Sequence, residues 1–355
     1  MNDALPAPAP EPPTAGEATT ADLATRPDDQ QASSDHPLRH WALARKDRMH
    51  GREWFGNWLT VALLLRLVLL ALPVGFFIDL NSFQAWSLHL AAKGPAHFYE
   101  TIWSDYPPGY LYILWPLGLL YQGINWIAAS VANLLQAPVP QLGGILIFLM
   151  KLPGVLADIL NSWLIYRILE SRVSRRSARL AALFYAFNPV TIFVSAIWGQ
   201  MDAVLLAFLL TAVLFMLRQQ LAAAISMTAL AIMIKPQGLF LVPAVFATQW
   251  FRQPVRKWVT GILAGIVIGW LLTLPFTLLS AKYPGLLGPV TFLWEKMVAT
   301  AKTYPHSSVN AFNLWAPTGM WKPDSRLFLG IPHRYVGLGL MVLLNGVIVW
   351  TAWRR

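Results

Sequence analysis

The chain contains no cysteine among its 355 residues, which excludes a disulfide-stapled scaffold and any thiolate metal site. Charge is also scarce, at 12% Asp, Glu, Lys and Arg, against about a quarter in an ordinary soluble domain. Acidic residues thin out further beyond the N-terminal region: nine of the 17 lie at or before Glu53, so each of the eight that follow calls for a reason. No GxxxxGK[ST], GxGxxG or GxSxG motif is present, and no histidines are paired at helical or finger spacing. ATPases, dinucleotide enzymes and serine hydrolases of those types therefore have no support. No internal repeat is evident.

What is there is apolar. Hydrophobic residues make up 56% of the chain, 17 residues are Trp and the mean hydropathy is +0.49. A soluble domain cannot hide that much apolar surface, so the composition specifies an integral membrane protein. The net charge of +10 does not point to nucleic acid, because the basic residues sit in short clusters between apolar segments, as membrane topology requires. Residues 1–38 are rich in Pro, Ala, Asp and Gln, carry almost no large apolar side chains, and read as a disordered tail. The segment 39–56 is a basic juxtamembrane stretch (Arg39, Arg45, Lys46, Arg48, Arg52), which puts the N-terminus in the cytoplasm. A transmembrane domain follows over 57–355.

Apolar runs of spanning length lie at 57–77, 144–169, 178–197, 202–217, 219–234, 237–251, 258–280 and 335–353, which predicts eight crossings. The basic clusters between them fall on one side only if the apolar stretch 107–136 makes no net crossing. On that parity, 78–143 is a large first outer loop carrying a helix on or in the membrane surface, and 281–334 is a second outer loop. The predicted fold class is an all-α polytopic helical bundle.

Polar groups gather at the predicted outer face. Asp79 follows the first span, where a carboxylate could act as general base on a lipid-linked substrate, the alternative being a turn acid. Phe83, Trp86 and Leu90 recur at helical spacing, so 82–93 reads as an interfacial helix. Asp105, Tyr106 and Tyr110 combine a carboxylate with rings able to stack on sugars, or to serve as interface belt residues. Trp198, Gln200 and Asp202 occupy one short outer turn, with Lys235 and Gln237 in the next. A lysine and a carboxylate at one depth suit a phosphate-bearing lipid, or else close an interhelical pair. Lys151 is a further candidate for phosphate contact, with snorkelling as its alternative. His306, Asn310 and Asn313 in the second loop are candidate sugar or phosphate ligands. Arg66 and Asp158 lie about 13 and 16 Å from the cytoplasmic edge at ~1.5 Å per residue, so they are expected to pair as a structural ion pair.

Taken in order, Asp79, DYPPGYLYILW (105–115), KLPGVLAD (151–158), NPVTIFVSAIWGQMD (188–202), IKPQG (234–238) and NAFNLW (310–315) resemble the GT-C glycosyltransferases. The bacterial branch similar to the GPI mannosyltransferases that add the second mannose is nearest. The resemblance covers 57–320 and implies a helical module whose large first outer loop carries juxtamembrane helices. It also implies inverting transfer of a hexose from a polyprenyl-phosphate sugar to a lipid or glycan acceptor at the outer face of the cytoplasmic membrane. Asp79 would be the base, Asp105 and Asp202 would lie around acceptor and sugar, and no cofactor is called for; a divalent metal is compatible but not indicated. The chain ends at Trp353-Arg-Arg where relatives usually continue with more helices. The rival reading is a transporter or flippase of lipid-linked sugars, which predicts inverted repeats and matched broken helices. A structural scaffold is the third, and predicts a dispensable Asp79.

Overall fold

The computed structural model describes residues 37–309 and 313–354. The tail expected to be disordered falls, but for its last two residues, outside the described residues, as do the side chains of the basic cluster. The chain runs through α1 (Pro37–Leu70), α2 (Phe77–Lys93), α3 (Phe98–Thr101), α4 (Pro108–Leu134), α5 (Gly143–Leu169), α6 (Arg175–Ala186), α7 (Pro189–Ile192) and a π-helical turn, Phe193–Trp198. It continues through α8 (Asp202–Leu217), α9 (Leu221–Ile234), a 3-10 turn (Pro236–Leu241), α10 (Val242–Gln249), α11 (Val255–Thr277), α12 (Gly288–Thr303), a second 3-10 turn (Ala316–Thr318) and α13 (His333–Arg354). The named strands are a two-residue hairpin, Leu327–Phe328 against Ile331–Pro332. The fold is that of an all-α polytopic membrane bundle.

Four described helical segments are long and apolar enough to cross a membrane: Glu53–Leu70, Gly143–Leu169, Val255–Thr277 and His333–Thr351. A fifth span results if the bent pair Arg175–Ala186 and Pro189–Trp198 counts as one. The eight runs of the sequence thus do not become eight long helices. The 178–197 run bends by 44° at Asn188-Pro189, because proline lacks an N–H and forces the residue before it out of the helical region. Asn188 is extended (φ −66°, ψ 122°) and its side chain caps the Val190 amide. The 237–251 run is divided between a 3-10 turn and an eight-residue helix. With 16 and 14 residues, α8 and α9 reach about 24 and 21 Å, short of a ~30 Å hydrocarbon core. The segment expected to form the first loop, 78–143, holds α3, the 27-residue α4 and all but the first residue of α2.

Where α2 buries Leu80, Phe83, Trp86 and Leu90, their spacing of three and four residues makes one helical stripe. This stripe packs with Tyr110, Leu111 and Leu114 of α4, Met150 of α5 and Val204 of α8 into the main core. A second, polar cluster lies deeper in the bundle. The Arg66 side chain is fully buried and its Nε donates to Asp158 Oδ2 at 3.2 Å, the pair expected from their depths. The same guanidinium donates to the Ala186 carbonyl (2.5 Å) and to Thr191 Oγ1 (3.3 Å), while Tyr185 and Ser195 donate to the two Asp158 oxygens at 2.7 and 2.6 Å. The Ala186 carbonyl is one that the break at Asn188 deprives of its helical donor, since the Val190 amide is turned to the Asn188 side chain. The ion pair therefore stabilises the bend as well as neutralising two charges in hydrocarbon.

Removing one partner of a buried pair leaves the other uncompensated, at a cost of about 3–5 kcal/mol. Asp158→Asn and Arg66→Ala are each expected to lower the melting temperature in detergent and the yield of monodisperse protein, as read by thermal unfolding and size-exclusion chromatography. Unchanged melting in both variants would sink this assignment.

Candidate functional site

Asp79 occupies the first turn of α2, where the helix dipole favours a carboxylate. Its position depends on the turn after the π-helical segment, where Gly199 takes φ +88°, a conformation that side-chain-bearing residues rarely adopt. That turn delivers two donors to one oxygen: Trp198 Nε1 lies 2.9 Å and Gln200 Nε2 2.5 Å from Asp79 Oδ2. The Trp198 carbonyl accepts from the Phe76 amide at 3.1 Å, and the Trp198 and Phe76 rings pack at 5.0 Å. Both donors meet Oδ2, and neither meets Oδ1.

Asp79 lines a cavity of about 390 Å³ together with Ser82, Asp105, Tyr106, Gln200, Lys235 and Gln237, and with Trp86, Trp103, Thr300 and Tyr304. Lys235 reaches it because Pro236 forces the residue before it into an extended conformation (φ −154°, ψ 135°) at the end of α9. Its Nζ donates to Asp202 Oδ1 at 2.6 Å and lies 5.6 Å from the Tyr106 ring centroid. The N-terminus of α4 comes so close to the end of α9 that a Cβ on Gly109 would overlap the Met233 carbonyl. Asp105 has no side-chain hydrogen-bond partner among the described residues. Burial raises its pKa above the ordinary carboxylate value, with its own backbone amide, then Lys296 and Lys235, acting in the opposite direction.

Asp79, Asp105, Tyr106, Trp198, Gln200, Asp202, Lys235 and Gln237 thus come together at or around one cavity, while four other expected residues among those described do not. Lys151 is buried and donates to the carbonyls of Leu72 (3.2 Å) and Val74 (2.5 Å), so it satisfies orphan carbonyls just beyond α1 rather than facing a ligand. Tyr110 packs inside the core, its ring 5.3 Å from that of Phe83. His306 bridges to Pro323 and meets the Trp321 ring edge-on at 5.6 Å. Asn313 holds its own loop, donating to the Ser307 carbonyl and accepting from the Trp315 amide. Asn310 lies outside the described residues.

The sequence reading passed over α12. Lys296, Thr300 and Tyr304 recur every fourth residue along it and its C-cap, a helical spacing that was available as a signal. Thr300 and Tyr304 line the cavity. Thr300 Oγ1 donates to the Asp105 carbonyl at 2.7 Å, and Lys296 Nζ donates to the Ser104 carbonyl and sits 4.5 Å from the Tyr99 ring centroid. These bonds hold the segment that carries Asp105.

Residues 129–281 match the family described as dolichyl-phosphate-mannose-protein mannosyltransferase, a stretch shorter than half of the chain. No curated protein matches it. The match and the helical architecture support the GT-C superfamily and a glycosyltransferase activity. The matched stretch includes Trp198, Gln200, Asp202, Lys235 and Gln237, and begins after Asp79 and Asp105.

Burial lowers the Lys296 pKa to about 8, whereas an unfolded lysine titrates near ~10.4. Between those values the unfolded chain binds more protons than the folded one, so this residue's contribution to stability rises with pH from about 8 upward and is flat below. Thermal unfolding from pH 7 to 10 is expected to show wild type gaining on Lys296→Met only above pH 8; parallel curves for the two proteins would refute the assignment.

Proposed function

We propose that the chain transfers a hexose, mannose first among them, from a polyprenyl-phosphate sugar to an acceptor hydroxyl of a lipid or glycan, with inversion, at the outer face of the cytoplasmic membrane. Asp79 is the general base. The observation that carries the reading is the geometry of that carboxylate: two donors converge on Oδ2, it opens into a polar, ring-lined cavity, and a lysine stands on the same cavity wall. The family match adds the donor class, since its description names a dolichyl-phosphate mannose. Kinship with the second-mannose GPI enzymes belongs to the same proposal and rests on the motifs at 105–115, 151–158, 188–202, 234–238 and 310–315.

In the reaction, Asp79 Oδ1 takes the proton of the acceptor hydroxyl as its oxygen attacks the anomeric carbon. The bond between that carbon and the phosphate oxygen breaks, and its electron pair leaves with the polyprenyl phosphate. Trp198 and Gln200 fix the carboxylate so that one oxygen points outward, which is the orientation a base needs before the substrate arrives. Lys235 offsets the charge gathering on the departing phosphate, where a preplaced cation in a partly desolvated site acts most strongly. Asp105, with no side-chain partner, is left to accept from sugar hydroxyls, and Tyr106 and Trp103 offer ring faces to the sugar's C–H surface.

A transporter has less support: the family match does not favour it, and the cavity's carboxylates and lysine gather at one set of helix ends. The test is transfer of radiolabelled sugar from synthetic polyprenyl-phosphate mannose and glucose to a membrane extract. Asp79→Asn is expected to reduce kcat by about 10²–10⁴-fold, the usual worth of a general base, with donor binding retained. Trp198→Phe, which removes one hydrogen bond to the charged carboxylate, worth about 1.5–3 kcal/mol, is expected to cost about 10- to 100-fold. Full transfer by a folded Asp79→Asn variant would overturn the assignment of the base, and absence of transfer by wild type from either donor would overturn the enzymatic reading.

A further inference from the structure

A second cavity, of about 470 Å³, lies on the other side of the segment that carries Asp105, between α3, α12 and the end of α11. It falls within the range of about 300–1,000 Å³ typical of small-molecule sites. The first cavity's chemistry does not use it. One wall is aromatic: the Tyr99 ring stands 5.7 Å from Phe276 and 4.7 Å from Phe292, and Tyr283 meets Phe292 edge-on at 5.3 Å. The remainder is polar and balanced in charge, with Glu100 and Glu295 set against Lys282 and Lys296. Ser280 donates to Glu100 at 2.5 Å, and Lys282 and Tyr283 both donate to one oxygen of Glu295, at 2.7 and 2.9 Å.

The lining narrows the class of ligand. A hydrocarbon chain would strand two carboxylates and two ammonium groups against apolar surface, which is costly. An anion would meet two carboxylates for every two lysines and gain little net attraction. A neutral polyhydroxylated ring satisfies both halves, because its hydroxyls donate to the carboxylates and accept from the lysines that stand over Tyr99 and Tyr283, while its C–H face lies against the half-buried edges of those rings.

The two cavities share a wall. Tyr99 Oη donates to the Tyr106 carbonyl at 2.8 Å, and Lys296 reaches across to the Ser104 carbonyl. A molecule held on Tyr99 and Lys296 therefore touches the groups that set the position of Asp105 and Tyr106.

We propose that this second cavity is a carbohydrate subsite for the acceptor, holding a neutral sugar residue of the acceptor glycan across the shared wall from Asp79. The proposal rests on the glycosyltransferase reading for its role in catalysis, but not for the binding itself. The variants are Tyr283→Ala, which removes a half-buried ring of the cavity wall, and the more conservative Glu100→Gln, both checked for wild-type thermal unfolding.

Calorimetric titration of the full chain in nanodiscs with α-mannobiose, cellobiose and maltose reads binding without turnover, and Asp79→Asn serves as the control that retains the second cavity. Expected is binding of at least one disaccharide by wild type and Asp79→Asn alike, weakened at least tenfold in Tyr283→Ala and Glu100→Gln. In transfer assays the same two variants should raise the acceptor KM at least tenfold, leaving kcat and the donor KM within twofold. Equal binding by all four proteins, no binding of any disaccharide by folded wild type, or a rise in the donor KM instead of the acceptor KM would each overturn the subsite. Selective loss of binding in the two variants without any transfer by wild type would uphold the carbohydrate site and remove the enzymatic reading alone.

Discussion

The buried contact between Arg66 and Asp158 is the constraint on which the rest of the site depends. Two opposite charges in a low-dielectric interior tolerate one arrangement well and most others badly, and here both are also hydrogen-bonded to the broken helix beside them. The guanidinium takes the freed carbonyl of Ala186, and Thr191, Ser195 and Tyr185 complete the network. This anchors the bend at Asn188-Pro189 and the π-helical turn after it. Three residues beyond Ser195 the same segment delivers Trp198 to Asp79. A charge pair deep in the bundle thus sets the register of a turn at its end, through one short, rigid stretch of backbone.

Around Asp79 the structure uses helix ends repeatedly. The carboxylate stands at the start of α2, Asp202 at the start of α8 and Lys235 at the close of α9. Short helices bring such ends together: α8 and α9 stop short of the thickness of a bilayer, and Asp202 and Lys235 pair at their polar termini beside the cavity. Proline and glycine do the local work, Pro236 turning Lys235 out of its helix and Gly199 reversing the chain between Trp198 and Gln200. From the other side, α12 braces the Asp105 segment through two backbone carbonyls, separating one cavity rich in site residues from a second lined by rings and paired charges.

The sequence by itself determined the class of the protein. Apolar content, the scarcity of acids after Glu53 and the length of the runs leave a helical membrane protein, because only helices and closed barrels satisfy backbone groups in hydrocarbon and a barrel strand alternates over about 10 residues instead of running apolar for ~20. Depth arithmetic alone also paired Arg66 with Asp158, since a charge within an apolar run needs a partner at its own level. The grouping of Asp79, Trp198, Gln200, Asp202 and Lys235 was legible from their shared place at helix ends. What the tertiary structure decided is which of those groups face a cavity. Lys151 lies within α5 and Lys235 just before the proline that ends α9, but nothing local tells what each meets; the carbonyls of Leu72 and Val74 surround one, and Asp202 and open space the other. The length of each crossing was likewise not legible, because a hydropathy run continues through a proline break that the backbone does not. The role of α12 and the second cavity arose only when residues nearly 200 positions apart, such as Ser104 and Lys296, were brought into contact, a long-range pairing that no periodicity within either segment encodes.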